Sequence, residues 1–254
     1  MKSLRHVRTR RQLFRAMGVG AASIPLLALA AKSASAQLRP TARPCFLKGT
    51  KISTTSGNRL VEELQIGDEV QTLSGRKTIK WIGYNRFTKE KLRAWQDIVK
   101  PIRVGRFAID DHTPNRDLYL SPLHCVFLNE ALIPVMYLVN EATIAPGMPS
   151  DTSAIEYYHI ELDTHEVIYA EGALVESYDG SNRESFSNFV QYERLYGAER
   201  QSKMTPFAPI LKYRGRRQEF KGLVRSAISN VVDVRDPIQI AYDQLAKRAK
   251  AMFV

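Results

Sequence analysis

Cysteine is scarce in this chain. Cys45 and Cys125 are the two in 254 residues, which excludes a scaffold held by many disulfides. Acidic residues are absent from positions 1–36, where Lys2, Arg5, Arg8, Arg10, Arg11, Arg15 and Lys32 stand. Those seven cations account for seven of the eleven net positive charges, so the remainder carries +4 and is only mildly basic. Without that segment the chain has no nucleic-acid footprint beyond the short cluster Lys212-Tyr213-Arg214-Gly215-Arg216-Arg217. A long hydrophobic run is also missing. The weakly apolar run Ala16–Ala31 is broken by Gly18, Gly20 and Pro25 and is shorter than the roughly 20 residues a membrane helix needs. Internal repeats and low-complexity tracts are absent too. The overall composition, 44% hydrophobic and 25% charged, is that of one globular domain able to bury a sizeable core.

The basic start reads as an address. A charged stretch from Arg5 to Arg15, the apolar run and the small residues Ala34-Ser35-Ala36 form a signal peptide over 1–36, with a mature start at Gln37. Thr9-Arg10-Arg11-Gln12-Leu13-Phe14-Arg15 resembles a twin-arginine export motif. That resemblance implies a chain that folds before export and ends in the periplasm or outside the cell, without a stable membrane span. An ordinary secretory signal and an uncleaved anchor are the alternatives. Residues 37–44 follow as an extended linker, because Pro40 and Pro44 deny it helix.

From Cys45 to Tyr178 the signals are β. Short runs of β-branched and aromatic residues alternate with turn residues: Lys51–Thr55, Glu69–Leu73, Lys77–Ile82, Leu118–Leu120, Cys125–Leu128, Ala131–Met136, Tyr157–Leu162 and Glu166–Ala170. An all-β sheet assembly is expected over 45–178, with Thr88–Lys91 as the one weak helical stripe. A partly helical tail is expected over 179–254. In it, Phe186, Phe189, Val190 and Glu193–Tyr196 fit one helical face. Asp236-Pro237 is an N-cap and first-turn pair ahead of Ile238, Ala241, Leu245, Ala249 and Met252.

The chemistry-bearing residues come in three blocks. The first is Cys45-Phe46-Leu47-Lys48-Gly49-Thr50, followed by Leu64 and Gly67-Asp68-Glu69-Val70. The second is Ser121-Pro122-Leu123-His124. The third is Tyr157-Tyr158-His159-Ile160-Glu161-Leu162-Asp163-Thr164-His165-Glu166, closing at Glu176-Ser177. In this order, with the cysteine first, they resemble the Hint (Hedgehog/intein) family over roughly 45–178. The resemblance implies a horseshoe-like β fold and self-processing in which Cys45 attacks the carbonyl of Pro44, making the chain's own N-terminal flank the substrate. A free thiol needs help to become a nucleophile. His124 would give a proton to the departing nitrogen, a role typically worth about 10²–10⁴-fold, and Ser121 would polarise the carbonyl or orient the histidine. His159 and His165 are further proton-transfer candidates. Six residues apart on one strand they would share a face, unless Leu162-Asp163-Thr164 bends.

The chain departs from splicing inteins, which end in His-Asn before a nucleophile. Here the end reads Val175-Glu176-Ser177, so ligation of two flanks is not expected. Thioester formation followed by attack of water or a thiol remains. No cofactor and no metal is implied. Three alternatives stay open: an inactive scaffold or binding module, a Cys45–Cys125 disulfide, and a metal site of His159, Asp163 and His165, with His124 or Cys125 as a further ligand, whose spacing fits no standard zinc pattern.

Overall fold

The computed structural model describes residues 44–88, 99–149, 153–197, 203–211 and 236–253. The expected signal peptide, its cleavage point and most of the linker lie outside them. So does most of the weak helical stripe, beyond Thr88.

Short strands form because the sequence punctuates them. Hairpin β2 (Lys51–Thr54) to β3 (Gly57–Leu60) turns on Thr54-Thr55-Ser56-Gly57, and β4 (Glu69–Thr72) to β5 (Gly75–Thr78) turns on Thr72-Leu73-Ser74-Gly75. In both, the threonine hydroxyl donates to the glycine carbonyl, at 2.6 and 2.7 Å, and accepts the serine N–H. Both glycines have positive φ, 104° and 99°, a conformation that glycine adopts without the strain a side chain would bring. The same four-residue device thus builds two hairpins.

Two antiparallel sheets result. The first runs β11 (Ile144–Pro146), β7 (Ile102–Val104), β8 (Leu118–Leu120), β1 (Phe46–Leu47), β12 (Ala154–Glu161) and β6 (Trp81–Thr88). The second runs β10 (Ala131–Pro134), β9 (Cys125–Leu128), β14 (Ala173–Glu176), β13 (Val167–Ala170), β2, β4 and β5, with β3 on β2. Strand β1 has two residues yet sits in the interior of its sheet, pairing Phe46 with Leu120 of β8 and with Tyr158 of β12. Its neighbour β12 pairs eight residues with β6 and supplies the long edge that fixes its register. The main core gathers Phe46, Ile52, Val70, Leu118, Leu120, Val126, Ile160, Ile168 and Val175. A second cluster, rich in aromatics, holds Cys45, Trp81, Tyr157, Tyr178, Phe186 and Tyr192.

The tail is partly helical, as expected, with α1 at Phe189–Tyr196 and α2 at Pro237–Met252. Asp236 caps α2 by accepting the Ile238 N–H at 2.9 Å. Ile238, Ala241, Leu245 and Ala249 are buried, whereas Met252 is exposed, because the helix end runs past the core it covers. In α1 the buried residue is Tyr192 and Val190 faces out. Segment 203–211 returns along β10: Leu132 N–H donates to the Pro209 carbonyl, and Leu211 N–H to the Leu132 carbonyl, both at 2.9 Å. Among the described residues no helix is long and apolar enough to cross a membrane.

Candidate active site

The site grows from the start of β1. Cys45 lies one residue before Phe46, opposite Ser121, one residue after Leu120. Its main-chain N–H donates to Ser121 Oγ at 2.8 Å, and Ser121 N–H donates back to the Cys45 carbonyl at 3.0 Å. The hydroxyl therefore meets the nitrogen of the Pro44–Cys45 bond as an acceptor. From Ser121 the chain turns tightly, with His124 N–H donating to the Ser121 carbonyl at 3.0 Å, and the turn brings the imidazole back against β1. The rings of His124 and Phe46 are 4.4 Å apart.

His124 is fully buried. Its Nε2 lies 3.1 Å from the Glu176 carbonyl. A carbonyl can only accept, so the neutral ring carries its proton on Nε2. Nδ1 makes no hydrogen bond among the described residues. Burial pushes the imidazole below the usual histidine range, while the Glu176 carboxylate and the Cys45 and Glu176 main chains pull it back up. The Cys45 main chain is thus close enough to act on the ring.

His159, on β12, stands 5.1 Å from His124 and 5.0 Å from Tyr178, edge to face with each. Neither of its nitrogens has a hydrogen-bond partner among the described residues. Burial first, and then the neighbouring His124 and His165, drive it well below the ordinary value. The ring is held neutral. Buried polar groups without partners are rare, so two on one ring mark this as a special position.

His165 lies off the strand that carries His159. Strand β12 ends at Glu161, and a bend at Asp163-Thr164 intervenes, so the six-residue spacing does not put His159 and His165 on one continuous strand. His165 instead accepts the Phe207 N–H on Nδ1 at 2.9 Å and turns Nε2 toward Glu176 Oε2 at 3.5 Å. Asp163 points to solvent, with its side chain 85% exposed, because the bend throws it outward. Among the described residues no group of three or more His, Cys, Asp or Glu is arranged for a metal. Cys45 and Cys125 are both buried, and no disulfide joins them. Burial, and then Glu176, push the Cys125 thiol far up, so it is inert packing next to the site.

Two residues of the third block, Glu176 and Tyr157, take parts in the site that the sequence does not assign them. Glu176 marks itself there only by standing where an asparagine would. It is buried, accepts the Cys125 N–H on Oε1 at 2.8 Å, and meets one histidine through its carboxylate and another through its carbonyl. A glutamate at the end of an apolar strand, Ala173-Leu174-Val175-Glu176, is the available signal. Tyr157, in the cluster that holds Cys45, is the second. Its hydroxyl donates to the Val99 carbonyl at 2.8 Å. Burial first, and then the Cys45 thiol, raise it well above the usual tyrosine value.

A family profile described as a Hint domain matches residues 44–181. The chain belongs to the Hint domain family. The match begins one residue before Cys45 and takes in both sheets, so the Hint fold is the two-sheet body described above. Solved structures give distant likenesses to this Hint protein. The gp41-1 intein is 14% identical, with 52% of this chain and 97% of that chain covered and a TM-score of 0.35. A bacterial intein-like domain from Clostridium thermocellum is 10% identical, covering 53% and 99%, with a TM-score of 0.31. A DnaB intein from Synechocystis sp. PCC 6803 is 8% identical, covering 53% and 99%, with a TM-score of 0.36. A comparison with curated proteins finds no match.

Proposed function

We propose that this Hint domain cleaves its own chain between Pro44 and Cys45. The observation that carries the reading is the hydrogen bond from the Cys45 N–H to Ser121 Oγ, with His124 held three residues further on against the same main chain. The Cys45 Sγ attacks the Pro44 carbonyl carbon and forms the C–S bond. The thiol proton passes to His124 Nδ1, the position left open by the Nε2–H tautomer. As the C–N bond breaks, that proton goes to the Cys45 nitrogen. The product is a thioester to Pro44 and a free amine at position 45. Ser121 fixes the plane of the departing nitrogen, and its carbonyl anchors the turn that presents His124. His159 stands next in line as a neutral relay, and His165 acts from behind through Glu176. Water or a small thiol then takes the acyl group. The end of the domain offers Glu176 in place of an asparagine, which supports cleavage without ligation.

A second reading, a Hint module that binds and does not cut, draws on the closure of the site. Cys45 is 2% exposed, so an acceptor enters only when the site opens. One experiment separates the two. A reporter domain fused ahead of Gln37 is followed by intact mass, beside its Cys45→Ala counterpart, with and without added thiol. Splitting at Pro44–Cys45 in the parent alone, faster with thiol, supports self-cleavage. Intact chains in both after days leave the binding module.

The arginine-rich leader adds an address to this proposal: export through a twin-arginine route, removal of 1–36, and residence in the periplasm or outside the cell. Support comes from Arg10-Arg11 and Ala34-Ser35-Ala36. Cell fractionation with N-terminal sequencing checks it. Gln37 as first residue supports signal removal, Cys45 supports self-release, and a cytoplasmic chain starting at Met1 counts against export.

A further inference from the structure

The buried carboxylate of Glu176 has no part in the bond exchange itself, yet both His124 and His165 converge on this residue. Its main-chain carbonyl takes the His124 Nε2–H at 3.1 Å. Its Oε1 takes the Cys125 N–H at 2.8 Å, and its Oε2 faces His165 Nε2 at 3.5 Å. The far side of His165 is fixed as well, because Nδ1 accepts the Phe207 N–H at 2.9 Å. A nitrogen that accepts has no proton, so His165 is neutral while segment 203–211 stays in place. The Glu176 charge is then not cancelled by an imidazolium at His165.

We propose that Glu176 is a positioning residue for His124: its carbonyl fixes the histidine proton on Nε2, and its carboxylate supplies the anion beside which His124 takes a second proton. Segment 203–211 sets the arrangement by holding His165 neutral through Phe207. The inference deepens the self-cleavage reading and rests on it for its purpose, though not for its test. A base that must receive the thiol proton inside a core needs such a counter-charge, since burial alone disfavours the imidazolium. Around His124, the titratable groups are Cys45 ahead of β1, Cys125 on β9, His159 on β12, His165 in the following bend, and Glu176 on β14. Of these, the Glu176 carboxylate raises its proton affinity; a charge on His165 would lower it, and the neutral state of that ring avoids this. The pair Lys203–Asp179, at 3.0 Å, lies on the Cys125 side.

The test uses the full chain carrying Cys45→Ala, which cannot cleave, and reads the histidine ring nitrogens by NMR. The neutral His124 ring is expected to be protonated on Nε2. A ring protonated on Nδ1 overturns the proposal with no further variant. Adding Glu176→Gln keeps the carbonyl and the length of the side chain and removes the charge. The expected result is an unchanged tautomer with the His124 midpoint lowered by about one pH unit or more. Adding Glu176→Asp instead keeps the charge and should leave the midpoint near the parent value. An unmoved midpoint in Glu176→Gln overturns the role of the carboxylate. In chains that retain Cys45, Glu176→Gln should move the pH profile of cleavage to lower pH. If the parent never cleaves, the self-cleavage reading fails while the NMR result still decides the place of Glu176.

Discussion

Cys45 and Ser121 are bound to each other twice, by main chain to side chain at 2.8 Å and by main chain to main chain at 3.0 Å. The first of these bonds gives a buried N–H its acceptor at the point where strand pairing begins. Ser121→Ala takes that acceptor away, at a cost of about 1–3 kcal/mol. The expected outcome is a folded chain of lower unfolding midpoint and a cleavage rate reduced roughly 10–100-fold. Ser121→Thr keeps the hydroxyl and should retain most of the rate. Equal rates in Ser121→Ala and the parent would remove the hydroxyl from the mechanism.

Two buried neutral histidines make stability depend on pH. Burial sets the folded proton affinity of His124 and His159 below the unfolded value of roughly 6.5. Below that pH the unfolded chain binds protons that the folded chain refuses, so stability present at neutral pH is lost as pH falls. The slope is about 1.4 kcal/mol per pH unit for each histidine. Urea unfolding at pH values of about 7.5, 6.5 and 5.5, which bracket the unfolded histidine value, reads it. His159→Phe, which keeps a ring against Tyr178, should reduce the slope by one histidine's share. An unchanged slope would mean that His159 is already protonated in the folded chain.

The pair Glu161–Arg183 ties β12 to the segment that leads into α1. Arg183 meets the two carboxylate oxygens with Nε and Nη2, both at 2.8 Å, and lies over the Tyr192 ring at 4.8 Å. The carboxylate is completely buried. Arg183→Ala leaves that charge alone in the core and should cost about 3–5 kcal/mol. Replacing both residues, with Glu161→Gln added, should recover part of the loss. Denaturant titration of four chains, the parent, Arg183→Ala, Glu161→Gln and the double variant, measures the recovery, and a fully additive double loss would show that the pair is not coupled.

Much of this arrangement is legible in the sequence. The β character of 45–178 and the capped helix at Asp236-Pro237 follow from local patterns, namely alternation and turn residues, while the grouping of Cys45, Ser121 and His124 rests on the resemblance of the three blocks to the Hint family. The roles of Glu176 and Tyr157 are not legible there, because each acts through a partner distant in sequence: 51 residues separate Glu176 from Cys125 and 58 separate Tyr157 from Val99. No period or propensity encodes such a pairing. Met252 misleads for the opposite reason. It follows the helical period correctly, but α2 outruns the core and leaves it in solvent. The paired Thr-x-Ser-Gly turns stand in plain sight at 54–57 and 72–75, and their equivalence emerges only from the way both hairpins close.

Segment 203–211 should shield Cys125. Phe207→Pro removes the N–H that binds His165, and Phe207→Ala keeps it while removing the ring that packs on Phe127 at 6.0 Å. Labelling with a thiol reagent in a Cys45→Ala background should be slow in the parent, faster in Phe207→Ala, and faster still in Phe207→Pro. If the two variants label at the same rate, the hydrogen bond to His165 adds nothing to the hold of the segment.

Strand β1 is flanked on both sides, by β8 and by β12. The nitrogen at position 45 thus remains indoors whether or not it is still acylated. If the bond to Pro44 is cut, the new terminal amine sits in the same place, facing a hydroxyl acceptor and shut away from water. Such a setting favours the uncharged amine over the ammonium. An uncharged amine adjacent to a thiol on the same residue is the pairing that captures thioesters. By microscopic reversibility the spent domain is an acceptor: offered a peptide thioester, it should rebuild an amide at Cys45 by the path along which it lost one.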